Sequence, residues 1–362
     1  MDERRVYPVA GAVHLGRIVA SAHRRSGDIL TGMVRSGGDS RHGGELAAIA
    51  RIAALNGAGP EGEVWIGDDA AVVRVPPGRL LLAADAVVAG VHADLSLVGL
   101  DDLGWKALAS NVSDIAAMGG KALHALCCVA GPPDTDLDLL HAGLRSASQS
   151  YGVALVGGDL ANSATLVVAV SITGTTGDGQ PVLRSGARPG DLIFVTGPLG
   201  SSAAGLRLLR AGSSAAPSAD PTDAGCQPIS SECAARLMHA HRRPFARPAE
   251  GIAARDAGAT AMIDISDGLA TELGHICDAS SVGAMLDFVP VADGASLDEA
   301  VAGGEDYELL FTAADAGLVR AQFESQDLRE PLVIGRVTPT AGERLLDGRP
   351  LGRGGFEHDW LL

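Results

Sequence analysis

The chain has 362 residues, of which 46% are hydrophobic and 3% are aromatic, and its formal net charge is −16. So acidic a surface repels nucleic-acid backbones and anionic membranes, and so few aromatic side chains leave little to stack on single-stranded bases. The chain contains no run of about 18 apolar residues, so no membrane span is predicted. We therefore expect neither nucleic acid nor a membrane among the partners of this protein.

The first segment of the chain, residues 1–42, contains seven arginines and no continuous apolar stretch. It does not resemble a secretory signal, and we expect a poorly ordered extension. The cysteines are odd in number and form no CxxC pair, which favours free thiols and a cytoplasmic location. They are Cys127, Cys128, Cys226, Cys233 and Cys277.

After Gly43, short apolar runs alternate with helix-like stretches, which is typical of α/β and α+β proteins. The clearest helix extends from about Asp102 to Met118, where an apolar stripe recurs at helical spacing and a polar face carries Asp114. The predicted strands are Arg79–Ala84, Val153–Val156, Leu166–Ile172, Asp191–Thr196, Ala261–Ile265, Ala284–Phe288, Tyr307–Thr312 and Leu332–Ile334.

A chain of this length is expected to form two domains. In the segment LRSGARPGD, residues 183–191, Gly, Pro and charged residues replace the apolar residues that precede them. This change of composition predicts a domain boundary. We therefore expect an N-terminal domain over 43–185 and a C-terminal domain over 186–362. Residues 211–231, rich in Ser, Ala, Pro and Asp, are expected to be a mobile surface loop.

Aspartates beside glycine follow four apolar runs, in IGDDAAV (66–72), LLLAAD (80–85), LVGGD (155–159) and MIDISDG (262–268). A single Asp-Gly pair is most simply a turn, but the repeated pattern predicts carboxylates gathered at the ends of strands. Carboxylates gathered in this way repel one another unless a cation neutralises their charge. Oxygen ligands without His or Cys favour Mg²⁺, which commonly bridges to substrate phosphates.

Two glycine-containing segments have less specific signals. TGPLGSSAAGL (196–206) has the glycine content of a phosphate-binding loop but lacks the lysine and spacing of a P-loop. GGEDYELLF (303–311) places Glu305, Asp306 and Glu308 around Tyr307. Either a hairpin turn with a solvated acidic face or a carboxylate that faces a substrate accounts for this second pattern.

Taken together, these motifs resemble the thiamine-monophosphate kinase family, in the superfamily of aminoimidazole ribonucleotide synthetase. The resemblance covers residues 43–360 and rests on GDDAAV, GVHADL, WKALASNVSDIAAMGG, GGD, LRSGARPGD, TGPLGSSAAGL, HRRPFARP, IDISDGLATELGHI and GGEDYELLF, in that order. It implies an N-terminal α/β domain with a mixed sheet that dimerises through that sheet. It also implies a C-terminal α+β domain, an ATP site in the cleft, and ATP with Mg²⁺ acting on thiamine monophosphate in a homodimer.

The resemblance also assigns roles to residues that match the family's motifs. It implies Asp114 and Asp267 as catalytic residues, and Gly158, Asp159, Arg184 and Ser266 as contacts of ATP. The implied contacts of thiamine phosphate are His92, Glu305 and Phe356. The implied magnesium ligands are Asp69, Asp85, Asp114, Asp159, Asp264 and Asp267.

Two departures from the family pattern leave other functions open. Ala83-Ala84-Asp85 stands where the family usually has Ser-Thr-Asp, and Leu160-Ala161-Asn162-Ser163 follows GGD where many members have Thr-Thr-Arg. One alternative is a duplicated kinase that acts on another phosphate monoester. The other is a catalytically silent protein that binds a nucleotide or thiamine phosphate.

Overall fold

The computed structural model describes residues 45–213, 229–352 and 354–355. The predicted extension 1–42, Phe356 and most of the predicted loop 211–231 lie outside these ranges. The described residues pack as one unit that contains two β-sheets. No helix within the described ranges is long and apolar enough to cross a membrane.

The first sheet has four strands in the order β1-β4-β2-β3. Its strands are β1 (Leu80–Val88), β2 (Lys121–Gly131), β3 (Ala154–Asn162) and β4 (Val167–Thr175). Strand β4 pairs antiparallel with β1 and β2, and β2 pairs parallel with β3, so the sheet is mixed as predicted. The sequence did not predict β2, because its run of Ala, Leu and Cys suits a helix as well as a central strand.

Three helices accompany this sheet: α1 (Glu45–Asn56), α2 (Leu100–Ala117) and α3 (Leu137–Tyr151). Alternate residues of β4, namely Val168, Val170 and Ile172, are buried in a core with α2 and α3. On the opposite face Leu82 and Leu126 are exposed. Within the described ranges, one face is therefore a conventional core and the other an open apolar surface.

The second sheet has seven strands in the order β11-β10-β7-β9-β5-β8-β6. Its strands are β5 (Leu192–Val195), β6 (Ala261–Asp264), β7 (Gly283–Leu286), β8 (Leu309–Ala313), β9 (Leu332–Thr338), β10 (Arg344–Leu346) and β11 (Arg349–Pro350). Antiparallel pairing prevails, which is the α+β character that was predicted. Its central strands are buried on both faces, because two separate hydrophobic cores flank them.

Six further helices pack around the second sheet. They are α4 (Ser201–Ser213), α5 (Ser231–Arg242), α6 (Pro248–Asp256), α7 (Leu269–Ser280), α8 (Leu297–Ala302) and α9 (Ala316–Ser325). The predicted loop 211–231 is wrong at its start, since α4 continues through Ala211 to Ser213. Alanine is a strong helix former, and it prolongs the helix beyond Arg210.

Helix α2 joins the two halves of the structure. The predicted apolar stripe is confirmed: Leu108, Val112 and Ile115 are at most 2% exposed and lie in the core of the first sheet. The last residues of α2 instead join a core of the second sheet. Helix α6 lies so close that a Cβ on Gly251 would stand 2.2 Å from the carbonyl oxygen of Ala116. One helix therefore packs into both hydrophobic units.

The prediction that aspartates follow the ends of strands holds for Asp264, the last residue of β6, and is wrong for three others. Asp85 and Asp159 lie inside β1 and β3, and Asp69 follows isolated bridges rather than a strand. Strands β1 and β3 are the two edges of their sheet, where an unpaired, solvated side tolerates charged residues.

Candidate active site

Four of the predicted aspartates form one electrostatic cluster. Burial and, to a smaller extent, the charges of Asp264 and Asp85 together raise the pKa of Asp114 from 3.8 to about 7. Asp267 in turn acts against the ionisation of Asp264. Arg184 opposes these shifts at both Asp114 and Asp264. Each of the four carboxylates therefore interacts electrostatically with at least one other, and Arg184 compensates part of the charge at Asp114 and Asp264.

Asp264 is held in place from the first half of the chain. It is 5% exposed, and Ser113 Oγ donates a hydrogen bond to its Oδ2 at 2.7 Å. Burial raises the pKa of Asp264, and the hydrogen bond from Ser113 acts in the opposite direction. Ser113 precedes Asp114 on α2, so that helix presents two adjacent polar residues to the end of β6. Ser113 was not among the predicted site residues.

Glu272 is a second residue that the sequence did not predict. It lies in the first turn of α7, is 2% exposed, and accepts a hydrogen bond from the backbone amide of Asp267 at 3.1 Å. Its other oxygen, Oε2, finds no hydrogen-bond partner among the described residues. Burial raises the pKa of Glu272 to about 8. The only sequence signal was its place five residues after Asp267.

Two members of the cluster, Asp85 and Asp267, line a cavity of about 1120 Å³, which we call the cleft cavity. The predicted residues that line it are Asp85, His92, Ser266, Asp267 and Glu305. The backbone amide of Val88 donates to Nδ1 of His92 at 3.0 Å, so the neutral ring carries its proton on Nε2. Gly354 and Gly355 also line the cavity, whereas the predicted Phe356 lies outside the described residues.

Three predicted residues instead line a second cavity of about 1290 Å³, on the open face of the first sheet. They are Asp69, Gly158 and Asp159. Cross-strand neighbours share a face of a sheet. Asp85 pairs with the buried Val170, whereas Asp159 pairs with the exposed Cys128. Asp85 and Asp159 therefore point to opposite faces, and the structure does not gather the six predicted metal ligands at one point.

Gly158 permits an unusually close approach of strands β2 and β3. A Cβ at this position would stand 1.8 Å from the carbonyl oxygen of Cys127. We expect Gly158→Ala to lower the free energy of unfolding by about 3 kcal/mol, because backbone has to move. Urea denaturation measures this loss, and isothermal titration with an ATP analogue tests whether nucleotide affinity falls with it.

Gly152→Ala is the matched control for that substitution. Gly152 has a φ of +66° and ends α3, and no heavy atom lies within 4 Å of the added Cβ. Its replacement costs only the backbone strain, about 1 kcal/mol. Equal losses of stability in the two variants would contradict the steric argument for Gly158.

The segment 303–308 is tied to the turn that follows β6. The amide of Glu305 donates to the carbonyl of Ser266 at 2.7 Å, and the amide of Tyr307 to that of Ile265 at 2.9 Å. Both Glu305 and Tyr307 have positive φ, at 65° and 51°, which is strained for these residues. Burial raises the pKa of Tyr307 well above its usual value, and the charge of Glu305 adds to this effect.

The acidic residues of GGEDYELLF do not form a solvated face. Glu308 is buried, and Asp306 accepts hydrogen bonds from the backbone amides of Gly200 and Ser202 at 2.6 and 3.0 Å. Burial raises the pKa of Asp306 to about 6. The carboxylate of Asp306 therefore occupies the N-terminus of α4. The amides in TGPLGSSAAGL that were considered for phosphate already have this partner.

The described residues contain no group of three or more His, Cys, Asp or Glu side chains close enough to hold a metal ion directly. The chemistry of the cluster nevertheless fits a hard cation. Its donors are all carboxylate oxygens, their mutual repulsion is incompletely balanced, and the buried Oε2 of Glu272 has no described partner. Mg²⁺ typically retains several waters and binds through one or two carboxylates, so it does not require a complete protein cage.

Comparison with known proteins places the chain in a family. The family model for the N-terminal domain of AIR synthase related proteins matches residues 67–176, and that for the C-terminal domain matches residues 188–348. The thiamine-monophosphate kinase of Escherichia coli (strain K12) is 38% identical over 291 residues, which cover 75% of this chain and 83% of that protein.

Solved structures agree with the sequence comparison. The thiamine-monophosphate kinase of Stenotrophomonas maltophilia K279a superposes with a TM-score of 0.71 at 32% identity, covering 85% of this chain and 98% of that one. A structure described as AaThiL complexed with AMPPCP and TMP has a TM-score of 0.67 at 30% identity, covering 87% and 97%. The family resemblance of the motifs is thereby confirmed. This chain belongs to the AIR synthase related proteins and, within them, to the thiamine-monophosphate kinase family.

Proposed function

We propose that this protein transfers the terminal phosphoryl group of ATP to the phosphate of thiamine monophosphate, giving ADP and thiamine diphosphate. The observation that carries the proposal is the partly compensated cluster of Asp85, Asp114, Asp264 and Asp267 beside the cleft cavity. Relatives that span most of this chain are thiamine-monophosphate kinases, and one related structure contains AMPPCP and TMP.

The proposed reaction needs little help from the protein with proton transfer. The acceptor oxygen belongs to a phosphate that is largely ionised near neutral pH, so a strong general base is not required. The main barrier is the approach of two anions in line, which positioned opposite charge lowers. Mg²⁺ held by these aspartates would supply that opposite charge. The aspartates would have to be ionised for this role.

We assign each residue a role in this scheme. Asp114 and Asp267 are the catalytic aspartates, and Arg184, close enough to lower the pKa of Asp114, orients the nucleotide phosphates. Gly158, Asp159 and Ser266 contact the nucleotide. The proposed Mg²⁺ ligands form two groups: Asp85, Asp114, Asp264 and Asp267 near the cleft cavity, and Asp69 and Asp159 at the second cavity. The proposed contacts of thiamine monophosphate are His92, Glu305 and Phe356.

A homodimer accounts for the position of the second cavity. Asp69, Gly158 and Asp159 lie on the open face of the first sheet, next to the exposed Leu82 and Leu126. Pairing of this face with a second copy would cover those apolar side chains.

We also propose a domain boundary at 185/186, an ATP site in the cleft between the two domains, and a cytoplasmic location.

The direct test is an assay of purified protein with ATP, Mg²⁺ and thiamine monophosphate. We expect thiamine diphosphate and ADP in equal amounts, and no product when EDTA removes the Mg²⁺. Chromatography of the thiamine phosphates and a coupled assay for ADP measure the two products independently. Folded protein that forms no thiamine diphosphate would contradict the proposal.

The same purified protein distinguishes the two alternative functions. Release of ADP with another phosphate monoester, and not with thiamine monophosphate, would indicate a duplicated kinase with a changed acceptor. Ala83-Ala84 and Leu160–Ser163 are the departures that would explain such a change. Binding of a nucleotide without turnover of any acceptor would indicate the catalytically silent protein.

A further inference from the structure

Lys106 is a charged side chain enclosed at the junction of the two halves. It lies on α2 and is 0% exposed. The chain contains only two lysines, Lys106 and Lys121, among 28 basic residues, so arginine is its usual cation. Burying an ammonium group is strongly unfavourable unless it is paired and hydrogen-bonded. The position of Lys106 therefore calls for a specific partner.

That partner is Glu305. Nζ of Lys106 donates to both carboxylate oxygens of Glu305, at 2.9 and 2.8 Å, across 199 positions of sequence. The Glu305 side chain is 27% exposed and lines the cleft cavity. One end of the pair is thus sealed in protein, and the other end borders the space where the acceptor is proposed to bind.

His241 lies on the other side of the same carboxylate but adds no charge to it. Its Nδ1 is 3.6 Å from Oε2 of Glu305 and 3.1 Å from Oγ of Ser202. Burial and, to a smaller extent, the charges of Lys106, Arg210 and Arg242 together lower the pKa of His241 to about 3. The imidazole is therefore neutral at physiological pH, and Lys106 is the counter-charge of Glu305.

We propose that Lys106 is a positioning residue for the acceptor. Lys106 holds Glu305 in a charge-balanced pair, so that Glu305 recognises a hydrogen-bond donor of the acceptor rather than a cation. This inference rests on the proposed function. Each carboxylate oxygen keeps a lone pair after it accepts from Lys106. The paired charge of Lys106 weakens any attraction for the thiazolium ring. The amino group of the pyrimidine supplies the N–H donors of thiamine monophosphate.

The first test compares Lys106→Met with Lys121→Met, which removes an exposed lysine at the start of β2. We expect Lys106→Met to raise the KM for thiamine monophosphate at least about tenfold. The KM for ATP should stay within about twofold of the wild-type value, and Lys121→Met should change neither constant. Equal increases in both KM values, or none in a folded variant, would overturn the inference.

A double variant separates positioning from stability. Glu305→Gln leaves a buried ammonium unpaired, whereas Lys106→Met with Glu305→Gln removes both charges, so the double variant should melt at a higher temperature than Glu305→Gln alone. Its KM for thiamine monophosphate should nevertheless equal that of Glu305→Gln, because Lys106 acts through Glu305. Multiplicative increases in KM would show that Lys106 acts independently. The double variant also serves if Lys106→Met alone does not fold.

The oxo analogue of the acceptor tests the hydrogen-bond donor. Oxythiamine monophosphate has a carbonyl oxygen where thiamine monophosphate has the amino group, and the thiazolium charge is the same. We expect wild-type protein to lose at least about tenfold in kcat/KM with this analogue, and Glu305→Gln to lose much less, since an amide also donates. Equal use of both acceptors by wild type would overturn the inference. Wild type that turns over neither would contradict the proposed function itself.

Discussion

Replacement of Asp114 by asparagine is expected to lower kcat at least about a thousandfold without unfolding the protein. Asp114 lies at the centre of the cluster with Asp264 and Asp85, and its charge is proposed to hold Mg²⁺. Asparagine keeps the size of the side chain and removes that charge. Thiamine diphosphate formation at saturating substrates measures the effect. Asp178→Asn, in an exposed turn after β4, is the control and should retain full activity.

The same substitution is expected to stabilise the Mg²⁺-free protein at alkaline pH. Because the folded pKa of Asp114 is raised from 3.8 to about 7, the folded state holds a proton between these values that the unfolded state releases. Stability from this residue is therefore complete below pH 4 and is lost as the pH rises towards 7 and above. Asp114→Asn removes this loss.

Urea midpoints from pH 4 to pH 9 in EDTA check the sign of the effect. The midpoint of Asp114→Asn should depend less on pH than that of wild type, and it should be the higher of the two at pH 8. An inactive variant that is also less stable at pH 8 would mean that Asp114 supports the fold, which contradicts the electrostatic role.

The largest loss of stability is expected for Arg247→Met, at about 3–5 kcal/mol. Nε and Nη2 of Arg247 donate to the two oxygens of Glu308 at 3.1 and 2.6 Å, and Oγ1 of Thr196 donates to the same carboxylate at 2.5 Å. Glu308 is 5% exposed, and the half-exposed Arg329, whose Nη2 lies 3.6 Å from Oε1, is a second cation beside it. Loss of the Arg247 guanidinium therefore leaves a buried negative charge that Arg329 balances only in part. Urea denaturation of wild type and variant measures the difference.

Two further variants show whether that loss comes from an uncompensated charge. Arg320→Met breaks an ion pair with Glu330 that is well exposed on both sides, and it should change the urea midpoint little. Arg247→Met combined with Glu308→Gln should recover part of the stability, because the buried carboxylate charge is removed. A double variant as unstable as Arg247→Met would contradict this explanation.

Much of the fold was predictable because its signals are local. The periodic apolar stripe of α2 and the apolar runs of β4, β5, β6 and β8 are confirmed. Strand β2 was missed, because Ala and Cys in a central strand do not show the alternation of a half-buried strand. Asp85 and Asp159 were predicted at strand ends, since the sequence does not reveal which strands form the edges of a sheet.

The proximity of carboxylates was predictable where one motif contains them, as with Asp264 and Asp267 in MIDISDG. Residues whose role depends on distant partners were missed. Lys106 reads as part of a polar helix face, and only the fold brings Glu305 to it across 199 positions. Glu272 was missed because its burial beside Asp267 is a property of the packed helix α7.

Helix α2 packs in the cores of both halves, and this has a consequence for chimeras made from two related chains. The Gly- and Pro-rich segment 183–191 looks like the natural place to join halves of two relatives, yet the contacts that matter lie along a helix far upstream of it. Ser113 and Lys106 on α2 bind Asp264 and Glu305 in the other half. A chimera joined at 185/186 inherits the two sides of the cleft cavity from different parents, so α2 and the loops that it meets have to be exchanged together.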